Sequence, residues 1–323
     1  MSSDSSGRVA GIDCGTNSIR LLIADPGESG LVDVHREMRV VRLGQGVDRT
    51  GRLAPEALER TRLALVDYAE RIRELGAGAV RMVATSASRD AQNAEDFRAM
   101  VRATLGTEAE VISGTEEAAL SFSGAVAGLP GVADPLLVAD IGGGSTELVL
   151  GSPGAGVAQV SHGGAGASVI ASHSMDVGCV RMTERHLQSD PPSAAQVQAT
   201  ITDLHAALAA AAVDVPVGDA AAFVGVAGTV TTIAALALKL PAYDPAAIHG
   251  SVISFEQVAE VTDLLLRMPR EERAALPVMH PGRVDVIGGG ALVLRTVMEF
   301  LDADEVIASE HDILDGIAMS LLR

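Results

Sequence analysis

The chain has 323 residues, 48% hydrophobic and 20% charged, which excludes disorder and fibre and gives length for two domains. A formal net charge of −18 argues against a general nucleic-acid binder, and five Phe, two Tyr and no Trp cannot build many stacking platforms for single strands. Lys239, the only lysine, precedes Leu240, so no Walker-type loop exists, and Cys14 and Cys179 give neither a disulfide framework nor a zinc cluster.

The first residues, 1–7, are polar and carry no signal pattern, which predicts a cytoplasmic protein. Strands are predicted at 9–12, 19–25 and 32–43, runs of β-branched and Leu content with Gly between them. A helix begins near Pro55, with Leu58, Leu65, Ala69 and Ile72 at helical spacing, and Gly76 stops it. A buried strand at 80–84, a helix at 94–105 and a short strand at 110–112 lead into Gly114-Thr115-Glu116-Glu117 and a helix to about Ala127. Pro130, Gly131 and Pro135 punctuate the chain, so the predicted domains are 1–130 and 131–323. A strand follows at 136–140, and helices at 194–212, 230–240, 255–267, 289–301 and 313–322. The uncharged run 220–238 approaches membrane-helix length, but its Gly225, Gly228, Thr229, Thr231 and Thr232 predict a strand at 222–226, a turn and a buried helix, with no membrane contact. Alternating strands and helices give an α/β class.

One turn occurs twice. Asp13-Cys14-Gly15-Thr16-Asn17-Ser18-Ile19-Arg20-Leu21 aligns on Asp140-Ile141-Gly142-Gly143-Gly144-Ser145-Thr146-Glu147-Leu148, sharing the Asp, the Gly two on, the Ser five on and the Leu eight on. Each segment leaves one apolar strand and enters another. Glycine lets backbone N–H groups converge on an anion, and Ser, Thr and Asn add donors. An Asp at the strand end suits hydrated Mg²⁺, which takes carboxylate and phosphate oxygens. Two unrelated glycine hairpins are the plainer explanation, and the coincident Asp argues against it.

These residues resemble the actin-like, sugar-kinase and heat-shock-protein-70 ATPase superfamily, and within it the exopolyphosphatase / guanosine pentaphosphate phosphohydrolase family. Beyond the two loops, the resemblance rests on Ala84-Thr85-Ser86-Ala87-Ser88-Arg89, Ser113-Gly114-Thr115-Glu116-Glu117-Ala118, Gly178-Cys179-Val180-Arg181-Met182-Thr183-Glu184, Gly225-Val226-Ala227-Gly228-Thr229 and Arg283-Val284-Asp285 with Gly288-Gly289-Gly290-Ala291. It covers nearly the whole chain but not the C-terminal helical extension of long members. It implies a duplicated actin-like (ribonuclease H-like) two-domain α/β fold with the active site in the interdomain cleft.

The resemblance also implies roles. Glu117 is expected to activate the attacking water as general base; a solvated first-turn Glu stabilised by the helix dipole is the alternative. Asp140 and Glu147, with Asp13 in the first loop, are expected on the metal side, with Mg²⁺ or Mn²⁺ as cofactor. Gly15, Thr16, Asn17, Ser18, Gly142, Gly143, Gly144, Ser145 and Thr146 are expected to cradle phosphate. Gly228 and Thr229, at a helix start, and Arg89, through its planar guanidinium, are expected to meet phosphate too. Arg20, Arg181 and Arg283 are weaker phosphate candidates, and Glu116 a weaker base. Cys14 aligns with Ile141, which suggests packing.

The implied activity is metal-dependent removal of terminal phosphate from inorganic polyphosphate. Guanosine pentaphosphate is the alternative substrate, and an ATPase or kinase of the wider superfamily, or a non-catalytic sensor, are rivals from other classes. A homodimer is expected.

Overall fold

The computed structural model describes residues 7–27, 30–129, 131–153 and 168–322. The polar start at 1–6 and the punctuating Pro130 lie outside the described residues. The described residues of Met1–Ala127 and Asp312–Arg323 form one unit, and those of Gly128–Pro153 and Val169–His311 a second. The boundary expected at 130/131 places 312–323 in the second domain; the described residues of Asp312–Arg323 instead pack into the first unit.

The first unit holds a five-stranded sheet of order β3-β2-β1-β4-β5, with β1 at Val9–Cys14, β2 at Ser18–Gly27, β3 at Gly30–Val40, β4 at Ala79–Ala84 and β5 at Ala109–Val111. Every residue of β1 is buried, as its apolar run demands. It pairs antiparallel with β2 and parallel with β4. The strand predicted at 32–43 stops at Val40, because the N–H groups of Val41 and Arg42 leave the ladder for the carbonyl of Asn17. One core gathers Ile12, Leu21, Leu65, Tyr68 and Phe97. The helix Pro55–Leu75 starts with Pro in its first turn and ends at Gly76 with φ of 70°, a left-handed cap that glycine takes without strain.

The returning C-terminal segment is held by close backbone approach. Asp312 caps the helix Ile313–Met319 in a capping box with Asp315. A Cβ on Gly124, in the helix Gly114–Ala127, would overlap the carbonyl oxygen of Asp312, and one on Gly316 that of Leu120. Leu314 and Ala318 cover Val9, Leu22 and Ala24.

The second unit repeats the plan. Its strands are β6 at Leu136–Ile141, β7 at Thr146–Ser152, β8 at Ser168–Met175, β9 at Ala222–Val226, β10 at Val252–Ser254 and β11 at Glu305–Ala308. The order is β10-β11-β9-β6-β7-β8. Read from the other edge, β8-β7-β6-β9-β11 reproduces β3-β2-β1-β4-β5, with the central pairs antiparallel and parallel in the same places. The uncharged run becomes β9 and the helix Ala227–Ala237. Among the described residues no helix is long and apolar enough to cross a membrane.

Candidate active site

The two glycine turns share one hydrogen-bond plan. In the first, the N–H of Gly15 donates to the carbonyl of Ser18 at 2.9 Å; in the second, Gly142 donates to Ser145 at 3.0 Å. Two residues, Thr16 and Asn17 or Gly143 and Gly144, make each tip. In each turn, loop carbonyls are drawn back by another segment. Gly44 donates to Thr16, and Val41 and Arg42 donate to Asn17. Cys179 donates to Gly142 at 2.9 Å, and Val180 and Arg181 donate to Gly143. These last donors are the first-turn N–H groups of the helix Cys179–His186, which lack partners inside their own helix. Arg181 also donates through Nε to the carbonyl of Gly144 at 2.7 Å. The N–H groups of Gly143 and Gly144 find no acceptor among the described residues. Carbonyls tied back and amides left over make an anion-binding nest.

The side chains of the loops are less available than their backbones. Thr16 Oγ1 lies 2.9 Å from Ser86 Oγ, and Thr146 Oγ1 donates to the carbonyl of Val177 at 2.7 Å. Ser145 is buried, while Asn17 and Ser18 are half-buried.

The carboxylates behind the loops sit in register. Asp13 on β1 pairs with Arg20 on β2, and Asp140 on β6 pairs with Glu147 on β7. The position that carries a cation in one half therefore carries an acid in the other. Arg20 donates to Asp13 Oδ2 through Nε at 3.0 Å and Nη2 at 2.6 Å, and its Nη1 reaches Asp312. A guanidinium clamped by two acids leaves its expected role at phosphate and becomes a brace for the first loop. Burial still pushes the Asp13 carboxyl up, against the opposing pull of Arg20. Asp13 Oδ1 is buried and makes no hydrogen bond among the described residues.

In the second half, Asp140 and Glu147 are buried side by side, and Ser174 Oγ donates to Glu147 Oε1 at 2.8 Å. Opposed carboxylates on neighbouring strands repel unless a cation or proton intervenes. Among the described residues no three His, Cys, Asp or Glu side chains gather as a metal group. Paired carboxylates and the orphaned Asp13 oxygen are nonetheless hard donors of the kind Mg²⁺ takes, one or two at a time, beside phosphate and water. The residues fit such an ion.

Glu117 and Glu116 are separated by their surroundings. Glu117 is 6% exposed, and Arg89 Nη1 donates to its Oε2 at 3.0 Å and to the carbonyl of Ile112 at 3.1 Å. Glu116 is exposed and takes Arg81 Nη2 at 2.8 Å, an arginine it shares with Glu110. The solvated first-turn acid is thus Glu116. Arg89, expected at phosphate, holds Glu117.

Gly228 and Thr229 lie in the first turn of the helix Ala227–Ala237, after β9. The Arg283 guanidinium fills the space where a Gly228 side chain would stand, and its Nη1 donates to Thr232 Oγ1 at 2.8 Å. Thr229 packs against Gly290 and bonds the thiol of Cys179. Sequence reasoning missed Ala227, whose φ of 68° is a left-handed conformation costly for a residue with a Cβ. No local signal marks it, since alanine ordinarily continues a helix. It also missed Ser174 and Asp312, partners set by distant strands and helices. Cys14 and Cys179 are both buried, and burial pushes both thiols up.

Comparison with known proteins agrees with this geometry. The sequence pattern of the Ppx/GppA phosphatase family matches residues 22–323. Exopolyphosphatase 2 of Mycobacterium tuberculosis (strain CDC 1551 / Oshkosh) is 52% identical over 327 aligned positions, covering 97% of this chain and 98% of that protein. The crystal structure of an exopolyphosphatase-like protein superposes with a TM-score of 0.87 at 45% identity, over 97% of each chain. The Aquifex aeolicus Ppx/GppA family member superposes with a TM-score of 0.78 at 30% identity, again over 97% of each chain.

Proposed function

The chain belongs to the Ppx/GppA phosphatase family, and on that premise we propose that it is a metal-dependent exopolyphosphatase releasing the terminal phosphate of inorganic polyphosphate. The observation that carries the reading is the matched pair of glycine turns, each closed by the same Gly-to-Ser bond with an aspartate behind it. The second turn, with the Gly143 and Gly144 amides left over, suits phosphate oxygens, and the first turn repeats its closing bond and its aspartate.

Phosphoryl transfer to water asks the protein mainly for positioning and charge stabilisation. The backbone amides of Gly143 and Gly144 bind phosphate oxygens. Glu117 accepts the proton of the attacking water, and Arg89 fixes the orientation of that carboxylate through Oε2. Asp140 and Glu147 in the second unit, and separately Asp13 in the first, are the carboxylates that would hold Mg²⁺ or Mn²⁺. When bound, the ion offsets phosphate charge and stabilises charge developing on the transferred group. Arg20 and Arg181 keep the two loops in shape. The proposal includes a cytoplasmic homodimer, checked by light scattering on the purified chain and by cell fractionation.

The test is phosphate release from polyphosphates of defined length, with guanosine pentaphosphate and ATP in parallel. Release from polyphosphate that stops in excess chelator and returns with Mg²⁺ or Mn²⁺ is expected. Faster release from guanosine pentaphosphate transfers the assignment to that substrate, and full activity in chelator removes the metal.

A further inference from the structure

Next to the first glycine turn lies an open groove of about 630 Å³ that the reaction described above does not use. Arg49, Arg52 and Arg60 line it, against a single acid, Glu56. Arg49 and Arg52 are exposed, and neither makes an ion pair among the described residues. Arg60 donates to neutral acceptors only, the carbonyls of Val41 and Arg42 and the side chain of Gln45. The nearby Glu59 is bonded to Arg62 at 2.8 Å and does not offset this charge. In a chain of net charge −18, unneutralised arginines gathered in one groove are the exception.

The groove begins one residue beyond the segment that braces the phosphate loop. Gly44 bonds the tip residue Thr16 at 2.8 Å, Val41 and Arg42 bond Asn17, and the next residue, Gln45, already lines the groove. The same stretch of chain that braces the loop thus leads directly into the segment carrying Arg49 and Arg52.

We propose that this groove is a subsite for the distal phosphates of a long polyphosphate chain, engaged while the terminal phosphate is at the loops. The inference rests on the exopolyphosphatase reading. The chain's overall negative field repels a polyanion, so a long substrate needs a local positive track to remain bound. Guanidinium groups suit it, since their planar donors meet phosphate oxygens in pairs. A short substrate ends before the groove and gains nothing from it.

The experiment compares the wild type with the double variant Arg49→Gln/Arg52→Gln, both positions being exposed and outside the catalytic constellation. Two probes are used, tripolyphosphate and a polyphosphate of several tens of phosphates. For the long chain we expect KM to rise about tenfold, the size of two exposed charge contacts. KM for tripolyphosphate and kcat for both should remain unchanged. Direct titration of the long chain in excess chelator should show the same loss of affinity, with a salt dependence shallower by about one to two in log–log slope. Unchanged affinity and KM for the long chain overturn the proposal, as does an equal shift for both probes. If the wild type releases no phosphate from either probe, the exopolyphosphatase reading fails, and the titration alone decides whether the groove binds the polyanion.

Discussion

Replacing Glu117 by Gln separates the catalytic role from a merely structural one. The amide keeps the shape of the carboxylate and can still accept from Arg89, but it has no useful basicity. General-base contributions are typically about 10²–10⁴-fold, or about 3–5 kcal/mol of barrier. The structural cost is smaller. Arg89 retains the carbonyl of Ile112, and its side chain is 26% exposed, so weakening this partly screened ion pair costs about 1 kcal/mol. The barrier change thus exceeds any loss of fold, and the two appear in different measurements. Turnover at saturating polyphosphate should fall by about two to four orders of magnitude. The melting temperature should move by a few degrees at most, and substrate affinity should hold or improve, since a negative charge has left the vicinity of a polyanion. Glu116→Gln is the control. It removes one exposed ion pair from an arginine that keeps Glu110, so turnover should stay within about twofold. Equal, small effects from both variants would refute the assignment of Glu117 as base. A large loss from Glu116→Gln alone would move the assignment to its neighbour.

Gly178→Ala tests the second loop from outside it. The new Cβ would lie 2.6 Å from the Gly143 carbonyl oxygen and 2.8 Å from that of Gly142, so the loop must shift. We expect kcat/KM to fall by about 10²-fold, the cost of misplacing a positioning element by about an ångström, and an unchanged value would contradict the nest. Gly143→Val, at the loop tip, should leave a folded protein that binds polyphosphate very weakly; calorimetry showing wild-type affinity would mean the phosphate sits elsewhere. Both thiols should resist Ellman's reagent in the native protein and react after denaturation, because burial disfavours the thiolate. Rapid native labelling of Cys14 would reopen a chemical role for it.

What the sequence revealed depended on how local each feature is. The glycine turns were legible because Asp, Gly and Ser recur at fixed offsets within one hairpin. The helix Pro55–Leu75 was legible because its start and stop residues adjoin it. The helix Cys179–His186 was not, because no side chain caps it; its first amides bond the loop carbonyls of Gly142 and Gly143. The short strands β10 and β11 depend on pairing with each other and, for β11, with β9, which no local pattern encodes. The use of Arg20 was hidden for the same reason, since one of its two acid partners, Asp312, comes from a distant helix cap. Arg89 was recognised as a site residue, but its partnership with Glu117 needed the short helix Ser86–Asp90 and the start of the helix Gly114–Ala127 to be brought together.

The counter-charge from Asp312 has a consequence for the order in which the protein is made. A ribosome delivers β1 and β2, with Asp13 and Arg20, long before it delivers the segment that caps Arg20 and covers Val9 and Leu22. Until then the first sheet has an uncovered apolar face and an arginine with one acid instead of two. The second unit, Gly128–Pro153 and Val169–His311, is synthesised entirely within that interval. Domains ordinarily fold from the N-terminus as they emerge. Here every residue of the second unit precedes the helix Ile313–Met319, so the cover of the first sheet and the second acid of Arg20 are supplied only after the second unit has been made.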